Sequence, residues 1–232
     1  MTKPVCTIVG VGPGNGASLA RRFAADYRLA LIARSAEFAG GLASEIGDAR
    51  AYACDAGDAG ALKETFGRIA GDLGAVDVLI YNGGASVWGN VEEITPDQFE
   101  AAWRLNAAGL LTAAQSVVPA MKRKRHGSII VIGATASRRG IARTAAVAPA
   151  KAAQRSLCES MARHLGPPGI HVALIIIDGV VDGLRARQRL PDKADDFFVR
   201  PDDVAATAHW LAHQPRSAWS FEVEARPFGE HW

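Results

Sequence analysis

The chain has 232 residues, 49% of them hydrophobic and 22% charged, with a formal net charge of +2. That length suits one domain with a sizeable core, and so small a charge argues against a nucleic-acid surface or a membrane surface. Cys6, Cys54 and Cys158 follow neither CxxC nor metal-ligand spacing, and no apolar stretch is long enough to cross a bilayer. The expectation is a cytoplasmic protein with reduced thiols, no metal and no leader peptide.

The first predicted strand, VCTIV (5–9), runs into VGVGPGNGASLA (9–20) and a helix over 16–26. Gly10, Gly12, Gly14 and Gly16 can adopt positive φ and let the backbone approach a ligand closely. A helix N-terminus with free N–H groups behind such a turn suits a pyrophosphate. The spacing is G-x3-G-x-G through Gly10, Gly14 and Gly16, with Asn15 where GxGxxG would end. The second strand, RLALIA (28–33), delivers Arg34 and Ser35 to the place where an NAD site puts an acidic residue on the ribose. A guanidinium there suits a 2′-phosphate, which points to NADP and leaves NAD open.

A helix over 36–46 precedes the strand ARAYA (49–53). Asp55, next in the chain, meets an adenine or caps the turn before a helix over 58–73. VDVLIY (76–81) is the fourth strand. Thr95-Pro96-Asp97-Gln98 then opens one long helix over 96–124, with an N-cap, a first-turn proline and a glutamine at the third position. The basic run Lys122–His126 reads as its solvated end, complementing the helix dipole. SIIVI (128–132), a helix over 146–165 and HVALIII (171–177) follow. A seventh strand begins within SAWSFEVEARPFGEHW, whose Trp219, Phe221, Phe228 and Trp232 are expected to be buried in the core or against a partner subunit. Alternating strands and helices give a single domain over 1–232, a doubly wound (Rossmann) parallel α/β sheet of about seven strands with helices on both faces. Ligands belong at the carboxyl ends of its strands.

These pieces together resemble the short-chain dehydrogenase/reductase family along almost the whole chain. The glycine turn has the family's spacing, and CDAGD (54–58) is similar to its adenine-side segment, with Asp55 in place. YNGGA (81–85) stands where the family has Asn-Asn-Ala-Gly, which puts Asn82 and Gly83 beside the cofactor. RLNAAG (104–109) matches the segment carrying its structural and catalytic Asn, here Asn106. GSIIVIGATAS (127–137) matches its fifth strand, and Lys151 falls on the lysine of Tyr-x-x-x-Lys. The resemblance implies that Lys151 binds the nicotinamide ribose, that Asn106 serves a water relay, and that the protein is a homodimer or homotetramer pairing through the helices at 96–124 and 146–165. It also exposes two losses. Val147 occupies the position of the proton-transferring tyrosine, and Ala134 that of the carbonyl-orienting serine. The usual Pro-Gly after strand six is Asp178-Gly179, and the expected threonine is replaced around Asp182-Gly183. The chain thus resembles a divergent subgroup.

Replacement acids are few. Tyr81 is expected to pack beneath the ribose, while Thr135, Ser137 and Thr144 could hydrogen-bond a substrate oxygen. Asp178 ends an apolar strand next to the expected nicotinamide site and is the candidate carboxylate. Arg138, Arg139 and Arg143, with Arg185, Arg187, Arg189 and Lys193, either attract an anionic small-molecule substrate or are solvated loop charge balanced by Asp192, Asp195 and Asp196. Three functions stay open: an NADP(H)-dependent oxidoreductase with a nonstandard proton donor, a cofactor-binding protein without turnover, and a non-redox enzyme in the same pocket.

Overall fold

The computed structural model describes residues 2–84 and 87–229. Ala85 of the segment after the fourth strand and Trp232 of the C-terminal aromatic group lie outside the described residues. The chain opens with β1 (Val5–Val9), α1 (Asn15–Phe23), β2 (Arg28–Ala33), α2 (Ala36–Ile46), β3 (Ala49–Ala53), α3 (Ala59–Asp72) and β4 (Val76–Tyr81). Next come α4 (Pro96–Trp103), α5 (Gly109–Lys124), β5 (Gly127–Ala134), α6 (Val147–Leu165) and β6 (Ile170–Ile177). The last third holds a short β7 (Val180–Val181), α7 (Leu184–Arg189), β8 (Phe198–Val199), α8 (Pro201–Ala212) and β9 (Glu222–Ala225).

Seven strands form one parallel sheet in the order β3-β2-β1-β4-β5-β6-β9, while β7 and β8 pair separately. The chain works outward from β1 to β3, then returns across β1 to β4, so the order reverses between β1 and β4. Pairs such as Val9 with Ile32, Tyr81 with Val131 and Ala134 with Ile177 bring the carboxyl ends nearly level. A crevice therefore opens where the connections from β1 and β4 diverge, the usual ligand position in such sheets. Each face is covered by helices. On one, α3, α5 and α6 contribute Leu62, Phe66, Val117, Met121 and Cys158. On the other, α1, α2 and α8 contribute Leu19, Phe23, Leu42, Val204 and Leu211. Strand β6, apolar without alternation, is buried at every position because both of its faces meet helices.

The expected helix over 96–124 is interrupted. Residues Arg104–Ala108 form a π-helical turn between α4 and α5. Such a turn leaves a backbone carbonyl without its usual amide, and Asn106 Nδ2 donates to Ala102 O at 2.8 Å in its place. The start of α4 is as expected, with Thr95 and Gln98 forming a reciprocal cap. At the C-terminus Phe228 is not part of this chain's core, being 96% exposed. Trp219 instead stacks on His171, their ring centroids 4.9 Å apart. Among the described residues no helix is long and apolar enough to cross a membrane.

Candidate active site

At the end of β1 the backbone turns sharply at Gly10, whose φ is +86°. A side chain there would be strained, and its Cβ would stand 2.7 Å from the Gly83 amide nitrogen. The amides of Gly10 and Val11 both donate to Ile32 O, at 2.9 and 3.0 Å, and Asn82 Nδ2 donates to Gly10 O at 2.7 Å. The first close approach made by the turn is thus to the β4 loop. Of the four glycines in this turn, Gly10 is the one at positive φ. Gly16 is needed for packing, since a Cβ would come within 2.7 Å of Val11 Cα. Gly12 and Gly14 face open space, and a Cβ on either would meet nothing within 4 Å.

Gly14 is the N-cap of α1 and supplies no side-chain cap, and no acidic residue stands in the first turn. Positive partial charge at that end is therefore uncompensated. Asn15 Oδ1 beside it is buried without a hydrogen-bond partner. A cavity of about 220 Å³ continues from this turn, lined by Gly12, Arg34, Asp55, Asn82, Gly83 and Gly84 among others. Arg34 is exposed at its rim and has no ion pair among the described residues. Ser35 caps α2, its Oγ accepting from Phe38 N at 3.3 Å. Asp55 closes its local turn by accepting from Gly57 N at 2.9 Å while lining the cavity, and Asp58 is the cap of α3. These residues fit a dinucleotide: an uncapped helix end, an orphaned buried amide oxygen, an open glycine cradle and an unpaired arginine at the rim.

The second half of the site is a buried polar chain. Lys151 lies in α6, where its Nζ donates to Ile132 O at 3.0 Å and to Gln154 Oε1 at 2.9 Å. Gln154, fully buried, donates from Nε2 to Asn106 O at 2.9 Å. This last contact ties α6 to the π-turn. Asn106 Oδ1 has no partner, and a Cβ built on Gly84 would lie 3.6 Å from both that oxygen and Lys151 Nζ. Lysine and asparagine therefore converge on the wall of the crevice beyond the glycine turn. Burial lowers the Lys151 pKa from 10.5 to about 8. Gln154 is absent from the expected set, because a lone glutamine in an amphipathic helix looks like surface. Its spacing of three from Lys151, on the inward face, was the available signal.

Tyr81 is fully buried and donates its hydroxyl to Leu105 O, with its ring beneath Gly83. Desolvation pushes its pKa well up, so it braces the π-turn. Val147 begins α6 and is buried, as an aliphatic side chain should be there. Two of the three nearby hydroxyls are consumed locally. Ser137 Oγ accepts from Ala134 N, and Thr144 Oγ1 is bonded to both backbone groups of Ile141. Thr135 is different, donating to Asp178 Oδ1 at 2.6 Å. Asp178 also faces Arg226 at 3.4 Å and Arg139 at 3.7 Å, which makes it the centre of an ion-paired group at the carboxyl end of β6.

The basic loops divide in two. Arg138 binds Glu222 and Glu224 on β9, and Arg187 pairs with Asp182 and Asp195 while lying over the Phe198 ring. Arg143, Arg185 and Arg189 form no ion pair among the described residues. Away from the crevice, Asp26, His209 and His213 come together. The His-x3-His spacing on an unforeseen helix was its only sequence signal.

A doubly wound sheet with a dinucleotide crevice and a lysine–asparagine pair on its wall defines the class of protein. The family model of the short chain dehydrogenases matches residues 4–192, and the chain belongs to that family. It is 28% identical over 245 residues to an uncharacterized oxidoreductase of Mycobacterium bovis, covering 97% of this chain and 67% of that one. A short-chain dehydrogenase from Rhodopseudomonas palustris is similar in structure, with TM-score 0.83 and 30% identity over 97% of this chain and 99% of the other. A metagenomic short-chain oxidoreductase in complex with NADP has TM-score 0.85 and 25% identity, over 99% of each chain.

Proposed function

We propose that the protein is an NADP(H)-binding oxidoreductase in which Lys151 takes over the proton transfer of the missing tyrosine. The observation that carries this reading is the buried Lys151 ammonium, fixed by Ile132 O and Gln154 and facing Gly84 beside Asn106. The similarity to an NADP-bound short-chain oxidoreductase supports the choice of cofactor. Gly12, Gly14 and Asn15 hold the pyrophosphate at the α1 N-terminus, over a turn shaped by Gly10, Gly16 and Asn82. Arg34 and Ser35 hold the 2′-phosphate, Asp55 the adenine, and Lys151 the nicotinamide ribose. When bound, the nicotinamide supplies or accepts the hydride.

An ammonium with a pKa of about 8 is matched to proton transfer near neutral pH. Lys151 Nζ gives its proton to the substrate oxygen in the reducing direction and recovers it from solvent. The Thr135–Asp178 pair orients the substrate, and Arg139, Arg143, Arg185 and Arg189 favour an anionic one. Exposed Phe99, Trp103 and Leu111 on the 96–124 helices support pairing of two copies there.

A second reading, a protein that holds the cofactor without turnover, is favoured by Val147 and Ala134, neither of which can move a proton. One experiment separates them. The protein and Lys151→Ala are titrated with NADPH by fluorescence, then incubated with deuterium-labelled NADPH and a panel of neutral and carboxylate-bearing carbonyl compounds. Binding with label transfer that Lys151→Ala abolishes is the expected result. Binding without transfer to any compound selects the second reading, and no binding refutes both.

A further inference from the structure

At the amino ends of the strands, opposite the crevice, α8 ends against the turn that joins α1 to β2. His209 and His213 stand one helical turn apart, with ring centroids 4.2 Å from each other. Asp26 Oδ2 lies 2.7 Å from His209 Nε2, and one ligand atom from each of the three residues falls within 4.8 Å of the others. His213 Nδ1 is 2.7 Å from His209 O. A carbonyl can only accept, so the His213 proton is on Nδ1 and Nε2 presents its lone pair, which accepts from the Tyr27 hydroxyl at 3.1 Å. Ligand histidines are held in this way, with one ring nitrogen tied to a backbone acceptor, and a metal on Nε2 would take the place of the Tyr27 hydroxyl.

We propose that Asp26, His209 and His213 form a binding site for a borderline divalent cation such as Zn²⁺, with water completing its coordination. Two imidazoles and one carboxylate suit that class of ion, whereas Mg²⁺ and Ca²⁺ take oxygen ligands. The three ligand atoms are spread wider than bonds of about 2.0–2.2 Å to one ion allow. Asp26 and His213 are exposed, so rotation of their side chains closes the gap. Arg22 opposes binding. Its guanidinium lies 3.3 Å from His209 Nδ1 and donates there, which keeps the His209 proton on Nε2, towards Asp26. A cation on Nε2 needs the other tautomer, with the proton on Nδ1, and Arg22 must then swing into solvent. The bound ion would fasten the end of α8 to the α1–β2 turn and stabilise the folded chain by mass action.

The chelator-treated protein is titrated with Co²⁺, then with competing Zn²⁺, by visible absorption, calorimetry and thermal unfolding. One saturable site per chain is expected, with Co²⁺ ligand-field bands that Zn²⁺ removes and a Tm that rises with metal concentration. His209→Gln and His213→Gln each weaken binding by about tenfold or more. Arg22→Gln tightens it, and His164→Gln leaves it unchanged. Arg22 and His213 are exposed but His209 is only 15% so, and melting of each variant without metal checks its fold. Absence of a saturable site, binding untouched by both His209→Gln and His213→Gln, or weaker binding in Arg22→Gln overturns the proposal.

Discussion

Replacing Lys151 with methionine removes a buried ammonium while keeping most of the side chain's length. The folded protein holds that lysine with a pKa lowered by burial from 10.5 to about 8, and the residue is only 8% exposed. Below pH 8 both folded and unfolded chains are protonated here, and the folded one bears the full cost of a dehydrated charge. Between about pH 8 and 10.5 the folded lysine releases its proton while the unfolded one keeps it. The unfolded state then binds more protons, so the unfolding free energy of the native protein rises with pH across this window. At about 1.4 kcal/mol per pKa unit, the shift amounts to about 3 kcal/mol.

Cys6, Cys158 and the tyrosines also titrate in alkali, with folded pKa values raised by burial, and they change stability in the opposite sense. They are present in both proteins and largely cancel in the difference. The methionine also leaves Ile132 O and Gln154 Oε1 without their donor, at about 1–3 kcal/mol each, which offsets the level but not the slope. The stability of Lys151→Met relative to native should therefore fall by about 3 kcal/mol between neutral pH and pH 10.5. Urea unfolding followed by tryptophan fluorescence at a series of pH values measures it. A difference that stays flat across the window refutes the buried ammonium.

Gln154→Leu cuts the chain between Lys151 and Asn106 and should cost about 1–3 kcal/mol in a denaturant melt. It should also weaken NADPH binding in a fluorescence titration, because Lys151 loses its fixed position. Val147→Tyr puts a phenol one turn before Lys151 and should raise kcat/KM for carbonyl reduction by about 10²-fold or more, the usual worth of a positioned acid. Arg34→Ala should lower NADPH affinity about tenfold to a hundredfold, as expected for a charge-assisted contact, and leave NADH affinity unchanged. Equal losses for both nucleotides would move the 2′-phosphate away from Arg34.

Strands β1 to β4 begin and end where hydrophobic runs place them, and β5 and β6 are only slightly longer than expected. That accuracy has a physical basis for β1, β2 and β4, whose buried positions must be largely apolar, while β3 is an edge strand carrying exposed Arg50. The glycine turn was legible from its short-range spacing, whereas Lys151 and Asn106 were singled out by the resemblance to the family. What escaped depends on contacts distant in sequence. The π-turn at Arg104–Ala108 breaks no apolar period, and the side chains that bond carbonyls in and beside it, Asn106, Tyr81 and Gln154, come from three separate elements. Helix α8 begins with Pro201 and two aspartates, a recognisable start, but Arg200 provides no side-chain cap and the apolar stripe is short. The commitment of Ser137 and Thr144 to their own loop was likewise invisible, because it follows from how β5 turns towards α6.

The bond from Asn82 to Gly10, and the packing of Tyr81 beneath Gly83, join the loops after β1 and β4 through the chain's own contacts. A floor assembled in advance leaves little chain entropy to lose when a dinucleotide arrives. Reduced, oxidised and truncated forms of one nucleotide should therefore dock at similar rates. Their affinities will be told apart by how long each stays.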